Sequence, residues 1–454
     1  MNNYKYLLLL SLAVFSSCGK EFLEAKPDKA LLVPTTLSDM QALLNNTANI
    51  FNKSPYLTVL ASDDFYTSTA GWQGLSVIPE KNAYIWAKDV YESKSIGDWN
   101  NAYKQIFYAN VVLDGLLKIE TNDQASFNQI KGSALFYRAW AYYKLAEQFC
   151  APYQNTTAAT TPGIMLHLNS NVNERPGRGN LRQLYDQLID DLVTASPLLS
   201  VSVDIKTKPS KAAALALLSK VYLAMERYDL ALKYADEALA ISSRLIDYNT
   251  LTLTAARPFP NPLTGVNDEV LFYSASTAAT LNAALTLVDS TLYKSYTSND
   301  LRRQAFFKDA GKGLVTFKGT YSGSIGATTF FGLSVDEIYL IKAECEVRQG
   351  RTNEGIKTLN LLLEKRWLKN TFKPYQETNQ DLALSIILAE RRKELIARDT
   401  RWTDLRRLNS DARFQVTLKR VINNQVYELP PGDNRYVFPL PDNELSEHVI
   451  QNTR

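Results

Sequence analysis

The chain has 454 residues, with 50 Lys and Arg against 47 Asp and Glu, and 45% of it is hydrophobic. That apolar fraction excludes wholesale disorder, and the length leaves room for one large helical unit or for several domains. A formal charge of +3 spread over this length supplies no concentrated basic surface for nucleic acid, and 2 His leave little for chemistry that depends on imidazole.

In chain order, Lys5, the apolar run from Tyr6 to Phe15 and the small pair Ser16-Ser17 form a secretion signal over residues 1–17. A helix over that run reaches about 15 Å, half of a bilayer core of about 30 Å, so it is an address and not a span. Cys18 directly after the small residues resembles the lipobox of bacterial lipoproteins, which makes its thiol the expected lipidation site. Each buried acyl methylene adds about 0.8 kcal/mol, so more than one chain anchors stably. Cys150 and Cys345 are expected as buried free thiols; two isolated cysteines make no disulfide framework, and without a CxxC spacing structural zinc is unsupported.

Thr36 or Ser38 can cap a helix carrying Leu37, Met40, Leu43 and Leu44. Apolar residues at helical spacing predict helices over 98–117 and 127–149, then a Thr-, Pro- and Asn-rich loop to Leu168. A further helix starts at Leu181 and is expected to close before Ser196-Pro197. From Lys211 to Ile241, counting Tyr222 as position 11 of a tetratricopeptide unit puts Leu215, Leu218, Tyr228, Ala231, Ala235 and Ala238 at the unit's large and small positions. A second copy fits Asp336 to Arg366, with Gly350 at the turn and Gly355 at the close contact. Phe136 to Ala146 is a weaker third. Strands are predicted at Glu269–Tyr273, Leu314–Phe317 and Phe414–Leu418, the last turned back by Asn423-Asn424.

Nucleotide binding has no support, since no phosphate-binding loop exists and Gly177-Arg178-Gly179 lacks a third glycine. His167 and His448 stand in no catalytic context and read as surface residues. Leu388 to Leu408 (LAERRKELIARDTRWTDLRRL) carries seven basic and four acidic residues, more simply a set of structural ion pairs than an anion clamp, with Glu394 and Arg398 spaced to pair.

Glu390 to Leu395 and Arg401 to Arg407 resemble the C-terminal signature of the SusD/RagB family of outer-membrane nutrient-binding lipoproteins. Cys18 to Glu24, Lys131 to Phe149, Leu181 to Leu192, Asp300-Leu301-Arg302, Ile338 to Gly350 and Tyr436 to Asn452 resemble other family segments in order. The resemblance implies a mostly α fold: tetratricopeptide-like helical repeats in one compact unit with small β-hairpins and long loops. After the signal it divides into 18–230, with the first repeats, and 231–454, the C-terminal part of the same unit. It also implies lipid anchorage on the outer face of the outer membrane, and a SusC-like TonB-dependent barrel as partner. An oligosaccharide, or in some members a peptide, is the implied ligand. No catalysis, cofactor, metal or nucleic acid is expected.

Sugar rings present apolar faces and hydroxyls, so a glycan site needs open aromatic faces beside polar side chains. Loops are the better place to look for them. Asp64, Tyr66, Trp72 and Gln73 in the loop 63–73 are the first candidates; Trp86, Tyr296 and Tyr321 extend the set, and Tyr293, three residues before Tyr296, lies in the same irregular region. Two rival readings remain: an envelope scaffold that binds proteins through its repeats, and a glycosidase with two carboxylates in a cleft.

Overall fold

The computed structural model describes residues 34–276, 286–323 and 328–454. The leader, Cys18 and the segment after it lie outside these residues. Among the described residues eight helices of 13 residues or more form the scaffold: α1 (Gly97–Leu116), α2 (Gln124–Phe149), α3 (Leu181–Leu198), α4 (Lys211–Ala224), α5 (Tyr228–Ile241), α6 (Val335–Arg348), α7 (Thr352–Glu364) and α8 (Gln380–Glu394). From α1 to α7 each packs on the next, and α5 lies against α6 although nearly a hundred residues separate them in sequence.

The two predicted repeat units are the hairpins α4/α5 and α6/α7. Ser210 caps α4 by accepting the Ala213 amide, and α4 is apolar on all sides because its neighbours cover it all round. Gly350, at φ +78°, turns α6 into α7, and a Cβ on Gly355 would lie 2.7 Å from the Ala343 carbonyl, which explains the small residue there. Helix α2 is buried along most of its length, with the Arg138 guanidinium clamped by Asp191 at 2.7 Å. Residue 230 lies within α5, so the two halves read from the sequence share one hairpin.

Three local expectations shift. Helix α3 runs through Pro197 to Leu198; the Val193 carbonyl, which proline cannot bond, receives the Ser196 hydroxyl at 3.3 Å. The C-terminal hairpin pairs Leu418–Ile422 with Gln425–Leu429, four residues later than expected at its first strand. Asn423 and Asn424 still turn it, both with positive φ, as a tight hairpin requires. Among the described residues the remaining strands form five more two-stranded antiparallel pairs beside the helices, including Val270–Phe272 with Leu333–Ser334 and Phe307–Gly311 with Leu314–Phe317. Cys150 and Cys345 are buried free thiols, and burial pushes the Cys150 thiol up to about 12.

Candidate functional site

A cleft of about 800 Å³ opens between α1, the loop 165–176 and the C-terminal segment 443–449. Helix α1 supplies Trp99, Tyr103, Phe107 and Asn110, whose spacing sets them on one face. Trp99 is buried and packs on Tyr103 with ring centroids 4.7 Å apart, while Phe107 keeps 38% of its surface open to the cleft. The opposite wall is a loop without regular structure, yet it is firmly held. The Tyr103 hydroxyl donates to the Met165 carbonyl at 2.9 Å, and the Asn110 amide donates to the carbonyls of His167 and Asn169 at 2.8 and 3.0 Å. Arg138 fixes Asn110 from below at 2.9 Å, and Asp114 accepts both the amide and the hydroxyl of Ser170. The Arg178 amide donates to the His448 carbonyl at 3.2 Å, tying the tail to the same loop.

Both histidines of the chain line this cleft. Both were expected as surface residues; His448 is exposed, whereas His167 is half-buried and stands edge-on to Tyr103 at 5.7 Å. Burial pulls its pKa below the ordinary imidazole value, so it is neutral at pH 7. Neither imidazole hydrogen-bonds to protein among the described residues, and Asn171, Arg175 and Glu444 stand on the same rim. Aromatic faces, side-chain amides and imidazoles together match what a hydroxyl-rich ligand with apolar ring faces requires.

The residues expected from the sequence fall into two groups. Tyr66, Trp72 and Gln73 remain partly or fully exposed and close in sequence. Trp72 rides on the short helix Thr69–Gln73, capped by Ser68; its indole donates to the Lys81 carbonyl at 3.0 Å, and the Lys81 ammonium sits 5.6 Å from its ring. The Gln73 amide donates to Asn423 at 3.0 Å, so the C-terminal hairpin tip flanks this loop. Tyr66 lies on a two-residue strand paired with Leu287–Val288.

The second group is buried, and here the expectation is corrected. Asp64 is 2% exposed and pairs with Arg392 at 3.1 Å; burial pushes its carboxyl up to about 6. Trp86 is enclosed, donates to the Ala61 carbonyl at 2.9 Å and lies under the Arg420 guanidinium. The Tyr296 hydroxyl donates to the Lys393 carbonyl at 2.8 Å, and its ring packs on Phe307. Tyr321 donates to Glu269 at 2.7 Å with the Arg398 guanidinium 3.6 Å over its ring. With no open face, none of the three rings can stack on a sugar. Tyr293 is half-buried against Arg303.

The charged motif near residue 400 is a buried lattice, as its mixed signs suggest. Arg302 pairs with Asp300, Glu390 and Glu394, Arg366 with Glu269 and Glu394, and Arg407 with Glu344 and Asp404. Glu394 therefore does not pair with Arg398, which reaches Asp336 instead. Burial alone would raise the Glu344 carboxyl, but Arg407 and Arg348 hold it down to about 2.

Helical hairpins stacked in this order, with small strand pairs beside them, define the class: a tetratricopeptide-like helical fold. Residues 21–223 match a SusD-like family described as starch-binding and associating with the outer membrane, and residues 318–452 match the SusD family itself. The chain belongs to the SusD/RagB family. SusD-like protein P2 of Formosa agariphila is 28% identical over 250 residues, a match spanning 52% of this chain and 46% of that protein, so less than half of the relative's length is covered. A SusD superfamily protein from Bacteroides thetaiotaomicron superposes with a TM-score of 0.74 at 20% identity, over 92% of this chain and 100% of that one. A SusD-like carbohydrate-binding protein from Bacteroides vulgatus gives 0.68 at 19% identity, over 90% and 96%. At such identities these structures support the fold. No described helix is long and apolar enough to cross a membrane.

Proposed function

We propose that this protein is a lipid-anchored, outer-membrane nutrient-binding protein that captures an oligosaccharide and passes it to a SusC-like TonB-dependent barrel, without catalysing a reaction. The observation that carries the reading is the cleft at α1, where Tyr103 and Phe107 lie opposite His167 and His448 with asparagine side chains between them. Family membership and the carbohydrate-binding neighbour support the ligand class. Residues 1–17 act as the leader, Cys18 carries the lipid, and 18–230 and 231–454 form one unit. Tyr66, Trp72 and Gln73 offer a second, flatter surface that a ligand passing to the barrel touches. The test is calorimetric titration with a panel of oligosaccharides, the products then analysed for cleavage. Binding without turnover, weakened in Phe107→Ala, is the expected result; hydrolysis of any bound sugar overturns the non-catalytic reading.

A further inference from the structure

A small internal cavity lies where α2 and α4 meet the turn that follows α8. Its walls include Tyr143, Lys144, Glu147 and Gln148 near the end of α2, Lys220 on α4, and Asp399 just before the short helix Arg401–Leu408. Lys144 and Asp399 are spent on each other at 2.8 Å, and the Thr58 hydroxyl also donates to Asp399. The other four are not spent. Among the described residues the Tyr143 hydroxyl, Glu147 Oε2 and Gln148 Oε1 have no hydrogen-bond partner, although each of these side chains is more than nine-tenths buried. Lys220 is also buried; its ammonium stands 2.8 Å from Glu337, an ion pair that occupies at most one of its three N–H groups. Gln148 gains nothing by turning its amide over, because Nε2 already donates to Asp98 at 3.1 Å. Glu147 takes the Tyr185 hydroxyl on Oε1 at 3.3 Å, which leaves Oε2 for the cavity.

Buried polar atoms are costly to leave without a partner, and here they gather on one cavity. We propose that this cavity is the binding site of a single internal water, which accepts hydrogen bonds from Tyr143 and Lys220, donates to Glu147 Oε2 and Gln148 Oε1, and so fastens α2 to α4. Size and chemistry both select that occupant. The cavity measures about 10 Å³, close to the least room one water needs and too little for a sugar or a hydrated ion. Two of the free groups donate and two accept, which is the full tetrahedral complement of a water molecule. An anion would suit Tyr143 and Lys220 but would face the bare Glu147 oxygen. A metal cation would suit Glu147 and Gln148 but would stand against two ammonium groups, and among the described residues no group of three or more His, Cys, Asp or Glu is placed to hold one. The site shares no lining residue with the α1 cleft and does not depend on what that cleft binds.

The test is a crystal structure of the full chain, at a resolution that shows ordered water, from crystals grown in rubidium bromide. The expected result is one peak within about 2.6 to 3.2 Å of the Tyr143 hydroxyl, Lys220 Nζ, Glu147 Oε2 and Gln148 Oε1, without anomalous signal from either salt ion. A rubidium or bromide peak there would make it an ion site and overturn the proposal. So would a cavity without density, or a Tyr143 hydroxyl bonded directly to Glu147. The variant Tyr143→Phe removes one donor and keeps the ring, so the peak should remain on its other three partners while the folding equilibrium constant in urea titration falls about fivefold. An unchanged constant would overturn the role given to the Tyr143 hydroxyl, and a Tyr143→Phe structure whose peak has vanished would overturn the shared site.

Discussion

The buried lattice around Arg302, Arg366 and Arg407 and the cleft at α1 are both rich in polar side chains, and they use them in opposite ways. In the lattice every charge named above meets an opposite charge at hydrogen-bond distance, and Arg302, Arg366 and Glu394 are wholly shielded from water. In the cleft His448 and Phe107 stay open to solvent, while the groups that do bond, such as Asn110 and Asp114, serve to hold the wall. Dense charge in this chain therefore marks scaffolding. Open aromatic and amide surface marks the place where a ligand replaces water. Breaking a buried ion pair strands a charge, whereas removing an open side chain removes only what it would have touched.

The sharpest way to break this comparison is Arg302→Ala, which leaves Asp300, Glu390 and Glu394 with reduced compensation; a loss of about 3–5 kcal/mol is expected in urea unfolding. Unchanged stability would show that the lattice is dispensable. Acid titration comes next. The folded pKa of Glu344 lies below its unfolded value of about 4.5, so the unfolded chain binds more protons between pH 4.5 and 2 and stability falls as pH falls through that window. The difference between those two values corresponds to about 3 kcal/mol, and Glu344→Gln should flatten that part of the stability curve. An unaltered acid slope would contradict the pairing with Arg407.

On the cleft side the signs reverse. Phe107→Ala should change unfolding free energy by no more than about 0.5 kcal/mol, as for other open side chains, while weakening oligosaccharide binding by about tenfold, or about 1.4 kcal/mol. A large stability loss with intact binding would make Phe107 part of the core. Trp72→Ala is expected to give the smallest effect on affinity, a few-fold at most, because its indole is already engaged by Lys81 and one face is covered. Titration of that variant with no change at all would remove Trp72 from the ligand's path.

Much of the fold was legible because helical repeats write themselves locally. Tyr222, Ala231 and Ala235 reveal one hairpin by their spacing, and Gly350 and Gly355 reveal the other through a turn and a close approach. Asp300-Leu301-Arg302 was visible as a motif, but its partners Glu390 and Glu394 lie 88 and 92 residues from Arg302, and nothing local announces such a pairing. The same limit explains Tyr321 and Tyr296: both lie in irregular sequence, where an exposed ring is a fair expectation, and both are closed over by charges distant in sequence, Tyr296 by Lys393 at the end of α8 and Tyr321 by Arg398 in the turn after it. The cleft was missed for a related reason. Residues 98–117 read as a helix from their apolar spacing, and only the folded chain brings the Asn-rich loop and the tail against its Tyr103 and Phe107. The available signal was that both histidines stand beside short Asn-, Ser- and Glu-containing segments, at 167–174 and 443–448.

The most direct measurement is a crystal structure of the protein soaked with the neutral oligosaccharide that binds best in titration. Sugar density against Tyr103 and Phe107, with hydroxyls within hydrogen-bond reach of His167 and His448, is the predicted result. Density confined to the Trp72 surface, with the α1 cleft holding only solvent, would contradict the account.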